Sequence, residues 1–143
     1  MLQKIISLID EIKVNKQHGK FSVYKPLLLM IVFKQVLNRK KNEFKFKEIY
    51  EELELLMEKY GWPTSTRKRA QYPFYFLASS ELWEINIDSS ELKFPDSPSK
   101  TEMDNAIGKL NKEIYSFLIN DAGATQSVMK FINNKFFKGE FTF

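Results

Sequence analysis

Apolar residues at helical intervals open the chain. Leu2, Ile5, Ile6, Leu8, Ile9 and Ile12 fall on one side of a helix over residues 2–14, with Lys4, Asp10, Glu11 and Lys13 elsewhere. The stretch NKQHGKFSVY breaks this pattern at Asn15 and Gly19. Pro26 then stands directly before an apolar run, where proline suits a first helical turn, so a second helix is expected from Lys25 or Pro26. Leu27 to Phe33 are apolar without interruption, which predicts a central helix packed on every side. The polar NRKKNEF marks its exit. A third helix is expected from about Phe46 to Tyr60, with Ile49, Leu53, Leu56 and Tyr60 inward, and Gly61 as its stop.

Trp62 and Pro63 lead into the basic segment TSTRKRAQ and then the block YPFYF, which fits either a strand or a short helical turn. LWEINID alternates Trp83, Ile85 and Ile87 with Glu84, Asn86 and Asp88, the mark of a short half-buried strand. Pro95 and Pro98 punctuate a loop, after which Ser99 or Thr101 caps a short helix reaching about Ala106. Gly108 is read as separating this from a helix near Leu110 to Ile119. A last helix is expected from about Thr125 to Phe137, burying Val128, Phe131, Ile132 and Phe136. The fold class is therefore mostly α (α+β), a compact helical domain with a short strand or small sheet. Residues 1–143 read as a single domain without internal repeats or a low-complexity linker.

The chain has 143 residues, 43% hydrophobic and 15% aromatic, enough for one core. It has no cysteine, which excludes a disulfide scaffold, a thiolate nucleophile and a cysteine-ligated metal. The N-terminus mixes charges into its apolar residues, unlike a secretory signal, and the longest apolar run is far too short to span a bilayer. A soluble, cytoplasmic protein is expected. The net charge of +4 is uneven: residues 1–72 carry 15 Lys/Arg against 8 Asp/Glu, and residues 73–143 carry 7 against 10. An asymmetry of this sign points to one cationic face and to nucleic acid as its partner, with anionic lipid and acidic protein as competitors.

Residues for catalysis are sparse. The one histidine, His18, rules out a nuclease built on two histidines and reads as an exposed loop residue. Glu51, Glu52, Glu54 and Glu58 share one helical face and read as a solvated surface. Glu84, Asp88, Glu91 and Lys93 form a weak match to a carboxylate-and-lysine metal nuclease, and more simply a strand and turn. There is no glycine-rich phosphate loop and no nucleophile elbow. No catalytic residue, cofactor or metal site is expected.

Binding chemistry is better represented. Arg67, Lys68 and Arg69 adjoin Tyr72, Pro73, Phe74, Tyr75 and Phe76, and rings beside a cationic loop can hold an anion at the edge and something apolar at the centre. Phe74, Phe76 and Leu77 also fit plain core positions. A second anion site is suggested by YKPLLL, where the first N–H groups of a helix lack internal partners and Lys25 adds a full charge.

The combination of a helix opened by YKPLLL, a YPF tripeptide well downstream, a WEI strand and the SPSK segment resembles the sulfur-binding domain of modification-dependent (type IV) restriction endonucleases. Those enzymes recognise phosphorothioate DNA, in which sulfur replaces a non-bridging phosphate oxygen, and usually cut with a separate C-terminal HNH nuclease domain. The resemblance covers most of the chain. It implies a DNA-binding module, not an enzyme, whose partner is double-stranded DNA carrying a phosphorothioate and whose cleavage comes from an HNH nuclease outside this chain.

By the same resemblance the sulfur pocket comprises Tyr24, Lys25, Pro26, Tyr72, Pro73 and Phe76. Lys25, Arg67, Lys68, Arg69 and Lys100 would neutralise phosphates, and Arg67, Arg69 or Gln71 are candidates for base contacts. One departure is Tyr24-Lys25 where the family often has His-Arg; a lysine lacks the guanidinium's two-pronged geometry. Three other readings stay open: a generic DNA-targeting domain of an HNH nuclease, a small metal-dependent nuclease and a basic protein-interaction domain.

Overall fold

A computed structural model of the chain describes residues 1–14, 16–17, 20–61, 69–87 and 98–143. The elements run α1 (Leu2–Asp10), β1 (Lys16–Gln17), β2 (Lys20–Phe21), α2 (Tyr24–Arg39), β3 (Phe44–Lys45), α3 (Phe46–Tyr60), α4 (Gln71–Phe76), a 3-10 turn (Leu77–Ser79), β4 (Trp83–Asn86), α5 (Lys100–Met103), β5 (Ile107–Leu110), α6 (Lys112–Ile119) and α7 (Ala122–Phe137). The class is the mostly helical α+β one expected. His18, Trp62, Pro63 and Pro95 lie outside the described residues.

The apolar run of α2 makes it the axis of the molecule. Leu27 to Phe33 are all buried, and the helix packs against α3, α4, α6 and α7, so no face of that run is left for solvent. It begins at Tyr24, with Pro26 in its first turn, and its first internal bond runs from the Leu27 N–H to the Val23 carbonyl at 2.8 Å. Proline sits there without loss because its missing N–H had no partner in the helix. Around α2 the buried apolar side chains form one contiguous core.

α3 has the bounds its periodicity predicts, with Ile49, Leu53 and Met57 buried and Leu56 and Tyr60 partly so. Gly61 follows it in extended backbone (φ −75°, ψ 179°). α1 is shorter than expected, ending at Asp10, with Ile12 still buried beyond it. α7 begins earlier than expected, capped by Asp121, whose side chain accepts from the Ala124 N–H at 2.9 Å. Its buried face uses Val128, Ile132 and Phe137, while Phe131 and Phe136, expected inside, are only half-buried. Ser99 caps α5 in a reciprocal box with Glu102, as the sequence suggests.

The small sheet departs most from expectation. Its order is β3-β5-β4, antiparallel throughout, and the central strand β5 occupies residues read as a helix break. Gly108 does not separate two helices; it pairs with Phe44 on one side and Ile85 on the other. Close approach is what it supplies. A Cβ there would stand 2.0 Å from Cζ2 of Trp83, so only glycine lets the indole lie across the strand.

Candidate nucleic-acid interface

The YPFYF block is helix, not strand. Gln71 to Phe76 form α4, and Pro73 falls in its first turn where no N–H is required. Three neighbours hold this short helix. The Trp83 indole N–H donates to the Phe74 carbonyl at 2.9 Å, inside the core. The Phe74 ring meets Trp83 and Phe46 edge-on, with centroids at 5.5 and 5.2 Å. Glu54 of α3 accepts from the Ala70 N–H at 3.1 Å, neutralising a free donor at the helix start. Glu54 is thus a fixed part of the scaffold, while Glu51, Glu52 and Glu58 are solvated as expected.

With its inner side anchored, α4 turns Tyr72 and Phe76 outward. Phe74 and Leu77 are core residues, but Phe76 is 37% exposed and not the core residue its apolar character implies. Tyr72 and Phe76 sit one turn apart with ring centroids 6.4 Å from each other, and Tyr75 meets Phe76 edge-on at 5.1 Å.

The first turn of α2 faces this aromatic edge across a cavity of about 410 Å³. Tyr24, Tyr72, Pro73, Phe76 and Val14 supply its apolar wall, and Lys13, Lys25, Ser22 and Ser79 its polar one. Five of the six residues expected to form one pocket therefore line one cavity. Pro26 does not; it is buried and absent from the lining. Lys13, Val14, Ser22 and Ser79 were not foreseen. Lys13, Val14 and Ser22 lie between α1 and α2, where the chain has left the helix expected over 2–14, and Ser79 ends the 3-10 turn after α4, so only the three-dimensional path brings them together.

Tyr24 keeps its place through a neighbour with no side chain. A Cβ on Gly61 would come within 2.7 Å of Tyr24 Cε1 and 2.3 Å of the Met57 carbonyl oxygen. The Lys25 ammonium donates to the Lys13 carbonyl at 2.7 Å. Burial, and then the charge of Lys13, holds its pKa below the usual lysine value.

The other expected DNA contacts are dispersed. Arg69 is exposed beside the cavity, and its Nη1 donates to Tyr72 Oη at 3.0 Å. Gln71 is only 7% exposed, inside rather than at the surface. Lys100 stands apart from the cavity lining, with Nζ 3.9 Å from the centre of the Tyr50 ring. Arg67 and Lys68 lie outside the described residues, as do Asp88, Glu91 and Lys93. Glu84 is exposed on β4, and among the described residues no three His, Cys, Asp or Glu side chains group to hold a metal. No helix among them is long and apolar enough to cross a membrane.

The sequence profile of the ScoMcrA-like DNA sulfur-binding domain matches residues 2–141. No curated protein matches the chain. Among solved structures, it resembles the sulfur-binding domain of ScoMcrA complexed with phosphorothioated DNA: TM-score 0.83, 18% identity, 96% of this chain and 89% of that one. The sulfur-binding domain of SprMcrA, also complexed with phosphorothioated DNA, gives TM-score 0.77 and 16% identity over 96% and 86% of the two chains. A structure of the sulfur-binding and SRA domains of ScoMcrA matches with TM-score 0.80 and 19% identity, covering 92% of this chain and 42% of that one. At such identities the likeness to these structures is one of fold.

Proposed function

The chain belongs to the ScoMcrA-like DNA sulfur-binding domain family, and on that premise we propose that it recognises phosphorothioate DNA through the cavity between α2 and α4. The observation that supports this most is convergence. Tyr24-Lys25 and Tyr72-Pro73-Phe76 are separated in sequence by the rest of α2 and the whole of α3, yet line one cavity with an apolar wall and a cationic rim.

The chemistry follows from how water treats the two phosphates. Sulfur is larger and more weakly hydrated than oxygen, so pressing it against Tyr72, Pro73, Phe76 and the Tyr24 ring sacrifices little solvation. An ordinary phosphate oxygen in the same place would lose water without gaining a donor, at roughly 1–3 kcal/mol. That difference corresponds to a preference of about 5- to 150-fold.

The cations have a separate task. Lys25 at the start of α2, Arg69 beside Tyr72, Lys100 on α5, and Arg67 and Lys68 would neutralise phosphates along the duplex, giving salt-dependent affinity with little sequence information. The first turn of α2, which has no side-chain cap, would offer the Lys25 N–H to the phosphate that the Lys25 ammonium contacts. Base preference would fall to Arg67, Arg69 or Gln71; Gln71 would first have to leave its buried position. In this reading the domain is a reader, and strand cleavage belongs to an HNH nuclease domain working with it.

The test is a titration with two duplexes identical except for one phosphorothioate, in several sequence contexts and at two salt concentrations. Preference for the modified duplex in at least one context is expected. Equal, salt-sensitive affinity everywhere would leave a generic DNA-targeting domain instead.

A further inference from the structure

The cavity holds a charge arrangement that sulfur recognition leaves unexplained. Two of its lining residues are lysines from different segments: Lys13, just after α1, and Lys25, in the first turn of α2. None of the described residues lining it is acidic. Among the described residues the ion pairs join Lys4 to Glu81, Lys41 to Glu48 and Lys135 to Asp10, and neither cavity lysine takes part. The two segments are nevertheless fastened together, since Lys25 Nζ donates to the Lys13 backbone carbonyl. Among the described residues, two lysines thus line one rim and no acidic side chain lines it with them. Their repulsion is felt at Lys25, whose pKa is lowered by burial and by Lys13. An anion bound between them would remove the repulsion and gain two attractions.

We propose that Lys13 is a second phosphate ligand of this cavity, acting with Lys25 as a two-ammonium clamp on the phosphorothioate group; this role rests on the recognition reading above. A single ammonium is a point charge and fixes one oxygen without fixing the group's orientation, whereas a guanidinium engages two at once. A second ammonium from another element supplies the missing donor. The clamp takes the remaining non-bridging oxygen, Ser22 and Ser79 offer neutral hydroxyls on the same wall, and the sulfur is left facing the rings of Tyr24, Tyr72 and Phe76.

A substitution cycle tests the clamp. Affinities of the wild type, Lys13→Ala, Lys25→Arg and the double variant are measured with modified and unmodified duplexes across a salt series. Lys13→Ala is expected to weaken binding of the modified duplex about tenfold and to reduce the slope of log affinity against log salt by about one. In the Lys25→Arg background, where the guanidinium supplies two donors, the same change should weaken binding no more than about threefold. The Lys25 tether uses the backbone carbonyl of Lys13, so Lys13→Ala should melt like the wild type, and Lys13→Arg should retain affinity. Lys13→Ala binding within about twofold of wild type, or losing as much in both backgrounds, would overturn the clamp. If the wild type binds both duplexes equally, the recognition reading fails instead, and the same thresholds on the unmodified duplex decide the clamp. Absence of any DNA binding would overturn both.

Discussion

Replacing Tyr72 separates the two tasks assigned to the cavity, because one side chain serves both. Its ring lies on the apolar wall and its hydroxyl accepts from Arg69. Tyr72→Phe removes only the hydroxyl and frees Arg69; Tyr72→Ala removes the ring as well. A sulfur against the ring face covers roughly 30–40 Å² of apolar surface, about 1 kcal/mol at 25 cal/mol per Å². A sulfur–aromatic contact adds about 0.3–1.5 kcal/mol. Tyr72→Ala should therefore lower the preference for the modified duplex about 10- to 70-fold. An unmodified phosphate gains neither term and should lose only what a loosened Arg69 contributes, about twofold. Tyr72→Phe should lower both affinities by that twofold and leave the preference intact.

Fluorescence anisotropy with the paired duplexes at fixed salt reads both affinities, and thermal melting checks the fold. Tyr72 is half-buried, and the anchors of α4 are Phe74, Trp83 and Glu54, so the melting temperature should fall by only a few degrees. Equal loss on the two duplexes for Tyr72→Ala, with melting preserved, would refute the assignment of sulfur to this wall.

Three further substitutions probe the scaffold and the charge. Gly108→Ala forces a Cβ into the Trp83 indole and should destabilise the fold by about 3 kcal/mol, a melting shift of about 10 °C in a scan; an unchanged melting temperature would mean the indole moves freely. Gly61→Ala displaces the Tyr24 ring, and its clash with the Met57 carbonyl should also lower the melting temperature by a few degrees; the preference for the modified duplex should fall about fivefold, read with the paired duplexes. The depressed pKa of Lys25 sets two opposite pH trends. The unfolded state, with its pKa near the ordinary 10.5, binds more protons there, so the destabilisation is fully present below the folded-state pKa and is relieved as pH rises towards 10.5. DNA affinity runs the other way, falling as pH rises through the free protein's Lys25 pKa and flattening in Lys25→Met; calorimetric proton uptake on binding measures it, and zero uptake in that range would contradict a phosphate at Lys25.

What the residues revealed beforehand follows the range of the forces involved. α2 and α3 were legible because uninterrupted or periodic apolar positions and a terminal Gly61 act locally. α4 was ambiguous because five aromatic and proline residues in a row favour extended chain as readily as a turn; Trp83 and Glu54, both distant in sequence, decide for helix. β5 was missed because Gly108 reads locally as a break, and its purpose is visible only with Trp83 laid over it. Tyr24, Lys25, Tyr72 and Pro73 were identified by resemblance, and the part of the cavity made by Lys13, Val14, Ser22 and Ser79 was not, since it depends on where α1 ends and on how the chain turns after α4.

Discrimination between sulfur and oxygen constrains the scaffold more tightly than affinity does. A cavity wall that can relax lets water or a donor reach a phosphate oxygen, and the penalty against the unmodified backbone then disappears. Salt-sensitive attraction to the neighbouring phosphates tolerates such movement, because it falls off slowly with distance. The wall is held by the Trp83 bond to Phe74, by the room that Gly108 leaves for the indole, and by the space at Gly61 that receives Tyr24. Substitutions at these three positions should therefore erode the preference for modified DNA before they erode DNA binding itself. Lysine substitutions at the rim should do the reverse. In the proposed reading, the sheet and the glycines that seat Trp83 and Tyr24 set which phosphate is chosen, and the cations set how tightly any phosphate is held.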